Sequence, residues 1–339
     1  MFKRQSIPLW GLWCWCLLLQ SKNASAKSSK FQDLNEQYGG ALTDSGDYLY
    51  GSNKWGDDGS GSQNMTVLLA DTNGASFNAT WIWEKNIEYV HAYPNVGYES
   101  IQLPTTVSNI DSFHLSGSWS VFPVADPTAS DMTTALNAIA CKADIALDIF
   151  LDMNNVSSTN ASAASHEVMV WQSVWGGVWP IGYYDPPTGA PEYNLSGVTY
   201  QLFTGRNQQG QKQAVFSWVP TVYQESIDAD VHELVKELVR IGNITDDMYL
   251  GLIQFGSETV HASEPVELQM KDIEMSIGVS SSRTASPTAT STSKGGAERF
   301  QAQITNFAVP AALGLGLCWG FKYLMWDRYL LITTLYEYE

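Results

Sequence analysis

The chain has 339 residues, 44% of them hydrophobic and 16% charged, with a formal net charge of −17. That is enough apolar material for a sizeable core and too little charge for a disordered chain, while the acidic balance argues against nucleic acid and anionic lipid as partners. An aromatic share of 12% suits a neutral ligand whose flat faces stack on rings, and suits the interior of a large β-sandwich equally well.

The N-terminus opens with the basic Lys3-Arg4, continues through an apolar run over residues 7–19 and reaches the small residues Ala24-Ser25-Ala26. This is the layout of a cleaved secretory signal over residues 1–26. Asn-x-Ser/Thr acceptor sites at Asn64, Asn78, Asn155, Asn160, Asn194 and Asn243 agree with an extracellular destination. Cys14 and Cys16 belong to the signal, so only Cys141 and Cys318 remain, too few for a disulfide framework.

Residues 31–279 read as short β-rich runs punctuated by Gly, Asn, Pro and Asp. The runs fall at residues 47–50, 65–69, 79–83, 119–122, 145–151, 167–171, 199–203 and 214–219, which predicts an all-β sandwich or jelly roll. One segment has helical spacing instead, with Val231, Leu234, Val235 and Leu238 on one face, Asp228 and Asp230 at its start and Arg240-Ile241-Gly242 at its end. A single helix packed outside a sheet is expected there.

Residues 280–299 are rich in Ser and Thr and read as a linker or stalk. Residues 307–326 are mostly apolar and about long enough to cross a bilayer, although Lys322 interrupts them and Asp327-Arg328 follow. Three readings stand: a membrane anchor, a lipid-anchor signal around Gly295-Gly296-Ala297, or a tail with no folded function. The polar ending Tyr336-Glu337-Tyr338-Glu339 argues against the second.

For chemistry, the sequence holds no His-Glu-x-x-His, no Cys-x-x-Cys beyond the signal and no glycine-rich phosphate loop. Nothing in it demands a metal or cofactor. What stands out is acids set in apolar strands, where burying charge is costly. In Glu167-Val168-Met169-Val170-Trp171 a period of two puts Glu167, Met169 and Trp171 on one face and the valines on the other. The same arithmetic puts Gln254 and Glu258 opposite Ile253 and Phe255, and Asp144 with Asp148 on one face of the strand 145–151. Each acid alone reads first as a strand-end carboxylate in solvent. Two on neighbouring strands are what glycoside cleavage needs, one to attack the anomeric carbon and one to protonate the leaving oxygen.

Five ordered motifs then carry a resemblance: Tyr50-Gly51-Ser52-Asn53-Lys54-Trp55-Gly56, Ala146-Leu147-Asp148-Ile149-Phe150, Glu167-Val168-Met169-Val170-Trp171, Pro180-Ile181-Gly182 and Gln254-Phe255-Gly256-Ser257-Glu258. In that order they resemble the family 12 glycoside hydrolases over residues 37–277. The resemblance implies a concanavalin-like β-jelly roll, two antiparallel sheets with one outer helix and a cleft. It implies a retaining double displacement with Glu167 as nucleophile, Glu258 as acid/base and Asp148 supporting the nucleophile. A retaining pair has carboxyl groups about 5 to 5.5 Å apart. Asn53, Trp55, Met169 and Trp171 match positions that line the cleft, with Trp55 as a stacking platform for a glucosyl ring. Ser257 stands where the family often has Thr, and His166 where an aromatic or acidic residue is usual.

The expected activity is therefore that of a secreted, monomeric endo-β-1,4-glucanase acting on a β-glucan polysaccharide. Alternatives are a xyloglucan-specific enzyme of the same family, set apart by loops 152–165 and 175–193, and a non-catalytic glucan-binding lectin. A lectin has use for the aromatic platform but not for both glutamates.

Overall fold

The computed structural model describes residues 31–184, 190–207 and 212–280. The segments expected to be a signal (residues 1–26) and an apolar anchor (307–326), and all but the first residue of the expected linker 280–299, lie outside the described residues. Two layers of strands, numbered in chain order, make up the rest. The back sheet runs β1 (Phe31–Leu34), β4 (Gly61–Leu68), β5 (Ala75–Trp83), β16 (Thr259–Val279), β8 (Ile110–Pro123) and β14 (Ser226–Asp230). The front sheet runs β2 (Gly40–Leu42), β3 (Tyr48–Gly51), β6 (Asn95–Tyr98), β15 (Tyr249–Gly256), β9 (Lys142–Asp152), β10 (His166–Trp175), β13 (Ala214–Pro220), β12 (Val198–Arg206) and β11 (Glu192–Leu195). A short β7 (Thr105–Thr106) pairs with the start of β15.

Alternation explains why these segments become strands. In β5, Phe77, Ala79, Trp81 and Trp83 are buried and the residues between them are exposed or partly so. Their partners across the sandwich include Leu147 and Ile149 of β9, Val168 and Val170 of β10 and Phe255 of β15, all in one continuous core. Phe255 meets Trp119 of β8 edge to face at 5.7 Å, which ties the two sheets together through paired aromatics.

Two features depart from a plain pair of antiparallel sheets. β10 and β13 run parallel, because the antiparallel strands β11 and β12 occupy the chain between them and return it to the same end of the front sheet. β16 serves both sheets: Thr259 and His261 pair with β9 of the front sheet, and the residues from Val266 onward pair with β8 and β5 of the back sheet. The change of partner falls between His261 and Ala262, which already pairs with Trp83 of β5, and a register shift follows between Ala262 and Val266, where Pro265 has no N–H to give to a ladder.

The expected helix is α2 (His232–Arg240), with Leu234, Val235 and Leu238 buried against β8 and β11. Its start differs from the expectation. Asp228 and Asp230 belong to β14, and Asp230 Oδ1 accepts hydrogen bonds from the Phe113 and His232 N–H groups, at 2.8 and 3.2 Å. A second helix, α1 (Met132–Ala138), was not expected; it is a seven-residue turn capped by Asp131 and buries Leu136 alone, too little for a periodic signal. Among the described residues Cys141 is free and buried, and no helix is long and apolar enough to cross a membrane.

Candidate active site

β9 is the centre of the front sheet and is buried on both faces. Ile145, Leu147, Ile149 and Leu151 enter the main core, while Asp144, Ala146, Asp148 and Phe150 face the other way and are still nine-tenths or more buried. A half-exposed strand would leave that second set in water. Here it is covered by a small apolar cluster of Ala146, Met169, Trp171 and Val215, spread over β9, β10 and β13. β10 supplies Met169 and Trp171 from the face predicted for them, and Val168 and Val170 point into the core. Glu167 is half-buried on the same strand, paired in register with Phe150, and Met169 pairs with Asp148.

Glu258 arrives from the other side. β15 is antiparallel to β9, with Gln254 opposite Asp148 and Gly256 opposite Ala146. The strand ends at Gly256, so Glu258 lies in the two-residue link to β16 rather than on the strand itself. Gly256 is required at this bend, because a Cβ there would come within 2.3 Å of the Pro94 carbonyl oxygen. Asp144 then fixes the link: the Glu258 N–H donates to Asp144 Oδ1 at 2.8 Å, and the Asp144 N–H donates to the Glu258 carbonyl at 3.2 Å.

The loop after β3 brings Asn53 and Trp55 to the same end of the sheet. Tyr93 N–H donates to the Asn53 carbonyl at 2.9 Å and Gly56 N–H to the His91 carbonyl at 2.9 Å. Asn53 takes a positive φ of 39°, and its neighbours Ser52 and Lys54 are buried, with Lys54 Nζ donating to the Asn35 carbonyl at 2.7 Å. Trp55 is turned outward and is 45% exposed, a wide indole face left available beside a buried anchor. On the opposite flank, beyond Trp171, a cavity is lined by Trp179, Tyr183, Phe203 and Tyr223, with Trp179 and Tyr183 stacked at 4.0 Å.

Four carboxyls thus share one buried region, and no ion pair among the described residues reaches any of them. Burial, then the charge of Glu258, pushes Glu167 up from 4.5 to about 8. Burial also raises Glu258, against the pull of its hydrogen bond with Asp144. Asp148 is raised well above its usual range by burial, then by the charges of Glu167 and Glu258. Asp144 is raised likewise by burial, then by Glu258. The native state therefore keeps protons that the unfolded chain gives up, so stability is full below the unfolded values and is lost as pH rises through the native ones. The urea midpoint is expected to fall steadily between pH 4.5 and 8 and to fall less steeply in Glu167→Gln. A flat profile in the wild type would contradict the shared burial of these groups.

A family model, glycosyl hydrolase family 12, matches residues 46–278. The chain belongs to this family. It is a glycoside hydrolase. The probable xyloglucan-specific endo-β-1,4-glucanase A of Aspergillus niger is 29% identical to it over 261 residues, covering 76% of this chain and 96% of that protein. The xyloglucan-specific endo-β-1,4-glucanase A of Emericella nidulans is 27% identical over 250 residues, covering 73% and 92%. Among solved structures, the catalytic domain of Humicola grisea Cel12A with a soaked thio cellotetraose is similar at a TM-score of 0.60 and 24% identity, covering 73% of this chain and 99% of that one. The xyloglucanase domain of NopAA from Sinorhizobium fredii, in complex with cellobiose, is similar at 0.56 and 20%, covering 74% and 100%. These likenesses establish the jelly-roll fold.

In this family 12 chain the seven residues singled out in the sequence fall into two groups. Glu167, Asp148, Met169, Trp171 and Glu258 come from the adjacent strands β9 and β10 and from the link after β15, and Asn53 and Trp55 stand on the loop joined to the segment before β6. Two further residues escaped sequence reasoning. Tyr93 is buried, its hydroxyl donating in a forked bond to the Ala146 and Gln254 carbonyls at 3.0 and 3.1 Å. Burial and the nearby charges of Asp148, Asp144, Glu258 and Glu167 hold that phenol well above its ordinary value. It stands in a loop with no periodic signal, and only the pairing of distant strands places it among the acids. Asp144 was visible as a neighbour of Asp148 on one face, but nothing local linked it to Glu258. His166, at an unusual position for the family, stacks on Phe216 with an interplanar angle of 7° and is held by Ser165 Oγ 2.8 Å from Nδ1.

Proposed function

We propose that this family 12 chain is a retaining endo-β-1,4-glucanase in which Glu167 is the nucleophile and Glu258 the acid/base. The observation that carries the reading is that both glutamates, each half-buried, lie in one cluster of like charges with Asp144 and Asp148. Such a pair holds one proton across the neutral range, and the tautomer with that proton on Glu258 has an ionised nucleophile and a loaded acid. In the first step a Glu167 oxygen bonds to the anomeric carbon as the glycosidic C–O bond breaks, and Glu258 gives its proton to the departing oxygen. Water then gives a proton to Glu258 and its oxygen to the same carbon, releasing Glu167. In this reading Asp148, held un-ionised by burial, donates to Glu167 and holds it as the anion, which is supported by the electrostatic coupling of the two groups. Trp55, Asn53, Met169 and Trp171 guide the chain, with Trp55 stacking on a glucosyl ring.

A preference for xyloglucan is the second reading. Curated relatives of this chain are named xyloglucan-specific, and the aromatic cavity beyond Trp171 offers apolar walls to a branched chain. The basic-then-apolar N-terminus, the Ala24-Ser25-Ala26 exit and the acceptor asparagines support an extracellular destination. The test is reducing-end release from carboxymethylcellulose, mixed-linkage β-glucan and xyloglucan in parallel, with the anomer of the first product read by proton NMR. The expected result is β-product first. Initial α-product would overturn retention, and no release from any of the three would overturn the glucanase reading.

A further inference from the structure

Resting on the assignment of Glu258 as acid/base, we propose that Asp144 is a positioning residue for it: Asp144 stays protonated and donates a hydrogen bond from Oδ2 to the Glu258 carboxylate. The reading of the two main glutamates does not require this partner, and the geometry points to it independently.

Asp144 is fully buried, the third residue of β9. Its Oδ1 is satisfied by the Glu258 N–H at 2.8 Å, whereas its Oδ2 has no donor facing it. A carboxylate leaves that second oxygen unsatisfied in an apolar interior, at a real cost. A carboxylic acid does not, because the same oxygen becomes a donor, and the residue held against Asp144 through its N–H, Glu258, carries the neighbouring acceptor. The surroundings select the neutral form. Val174 of β10, the residue paired with Asp144, is apolar. The titratable groups around Asp144 are Glu258 in the link after β15, Asp148 on β9, Glu167 on β10 and the Tyr93 phenol before β6, all neutral or negative. The nearest lysine along β9, Lys142, has its amine on Glu88.

The consequence lies in the proton cycle of Glu258. When Glu258 has released its proton to the leaving oxygen, its new charge is stabilised by the Asp144 O–H and by no cation. The bond therefore keeps Glu258 acidic enough to give up its proton in a site whose burial and negative charge otherwise hold that proton too tightly. Two hydrogen bonds at one side chain, one accepted from the Glu258 N–H and one donated to the Glu258 carboxyl, also fix where that carboxyl points.

Asp144→Asn keeps the shape and the donor and changes no charge if Asp144 is protonated. It is expected to retain kcat/KM on mixed-linkage β-glucan within about threefold, with the basic limb of the pH profile moved by less than about 0.3 unit. Asp144→Ala removes the donor, so the basic limb is expected to move up and kcat/KM on glucan to fall about tenfold. Turnover of 2,4-dinitrophenyl cellobioside, whose leaving group departs without a proton, is expected to stay within about twofold. Difference infrared spectra of the wild type against Asp144→Asn at pH 6 are expected to lose a protonated-carboxyl stretch, a readout that needs no catalysis and no alanine variant. A downward shift of the basic limb in Asp144→Asn, an absent infrared band, or equal damage from Asn and Ala would each overturn the proposal. Glu258→Ala run in the same series reports on the acid/base assignment by itself, whatever the Asp144 variants do.

Discussion

Glu167→Gln is expected to lower kcat on mixed-linkage β-glucan by on the order of 10⁴-fold or more while leaving glucan binding in place. The amide matches the carboxylate in shape and keeps the packing around Met169 and Trp171, but it cannot form the covalent bond on which the first displacement depends. It also takes away a carboxyl that ionises only against its burial and the charge of Glu258, so the variant is expected to be at least as stable as the wild type at pH 7. Binding is read by affinity electrophoresis in the soluble glucan and turnover by reducing ends. Activity within tenfold of the wild type would falsify the nucleophile assignment, and a lectin would show no change in either measurement.

Glu258→Ala separates the two chemical steps. On glucan, loss of proton donation is expected to cost about 10² to 10⁴-fold in kcat/KM. On 2,4-dinitrophenyl cellobioside the first step needs no acid, so the glycosyl-enzyme forms and its breakdown, deprived of a base, becomes limiting. Added azide attacks that intermediate without base assistance and is expected to restore turnover, giving a β-glycosyl azide. Formation of the α-azide, or no effect of azide with an uncharged variant that is folded, would exclude the acid/base role.

Much of the fold was legible because its strands obey a two-residue period that burial enforces. β5 and β10 are examples: Trp81 and Trp83, or Val168 and Val170, had to face one way for the sandwich to close. α2 was legible for the matching reason at helical spacing, although its first turn was placed too early, since Asp228 and Asp230 finish a strand that pairs with β8. The parallel pairing of β10 with β13 and the double membership of β16 depend on which strands meet across long stretches of chain, and no local pattern encodes that. The site divides in the same way. Glu167 with Met169 and Trp171 followed from alternation, whereas Glu258 lies past the end of its strand, where alternation no longer applies. Its position is set by Gly256 bending against Pro94 and by the grip of Asp144, both contacts between residues far apart in sequence.

The dual membership of β16 bears on how the enzyme fails when heated. Glu258 immediately precedes the stretch of chain that sews the front layer to the back one, so its position is tied to that seam. Loss of the seam exposes the shared interior, including Trp83, whose indole N–H donates to Thr259 Oγ1 at 3.0 Å. Loss of activity on heating is therefore expected to track the loss of the near-ultraviolet signal of the buried tryptophans, and inactivation well below that transition would show that the site loosens before the seam does.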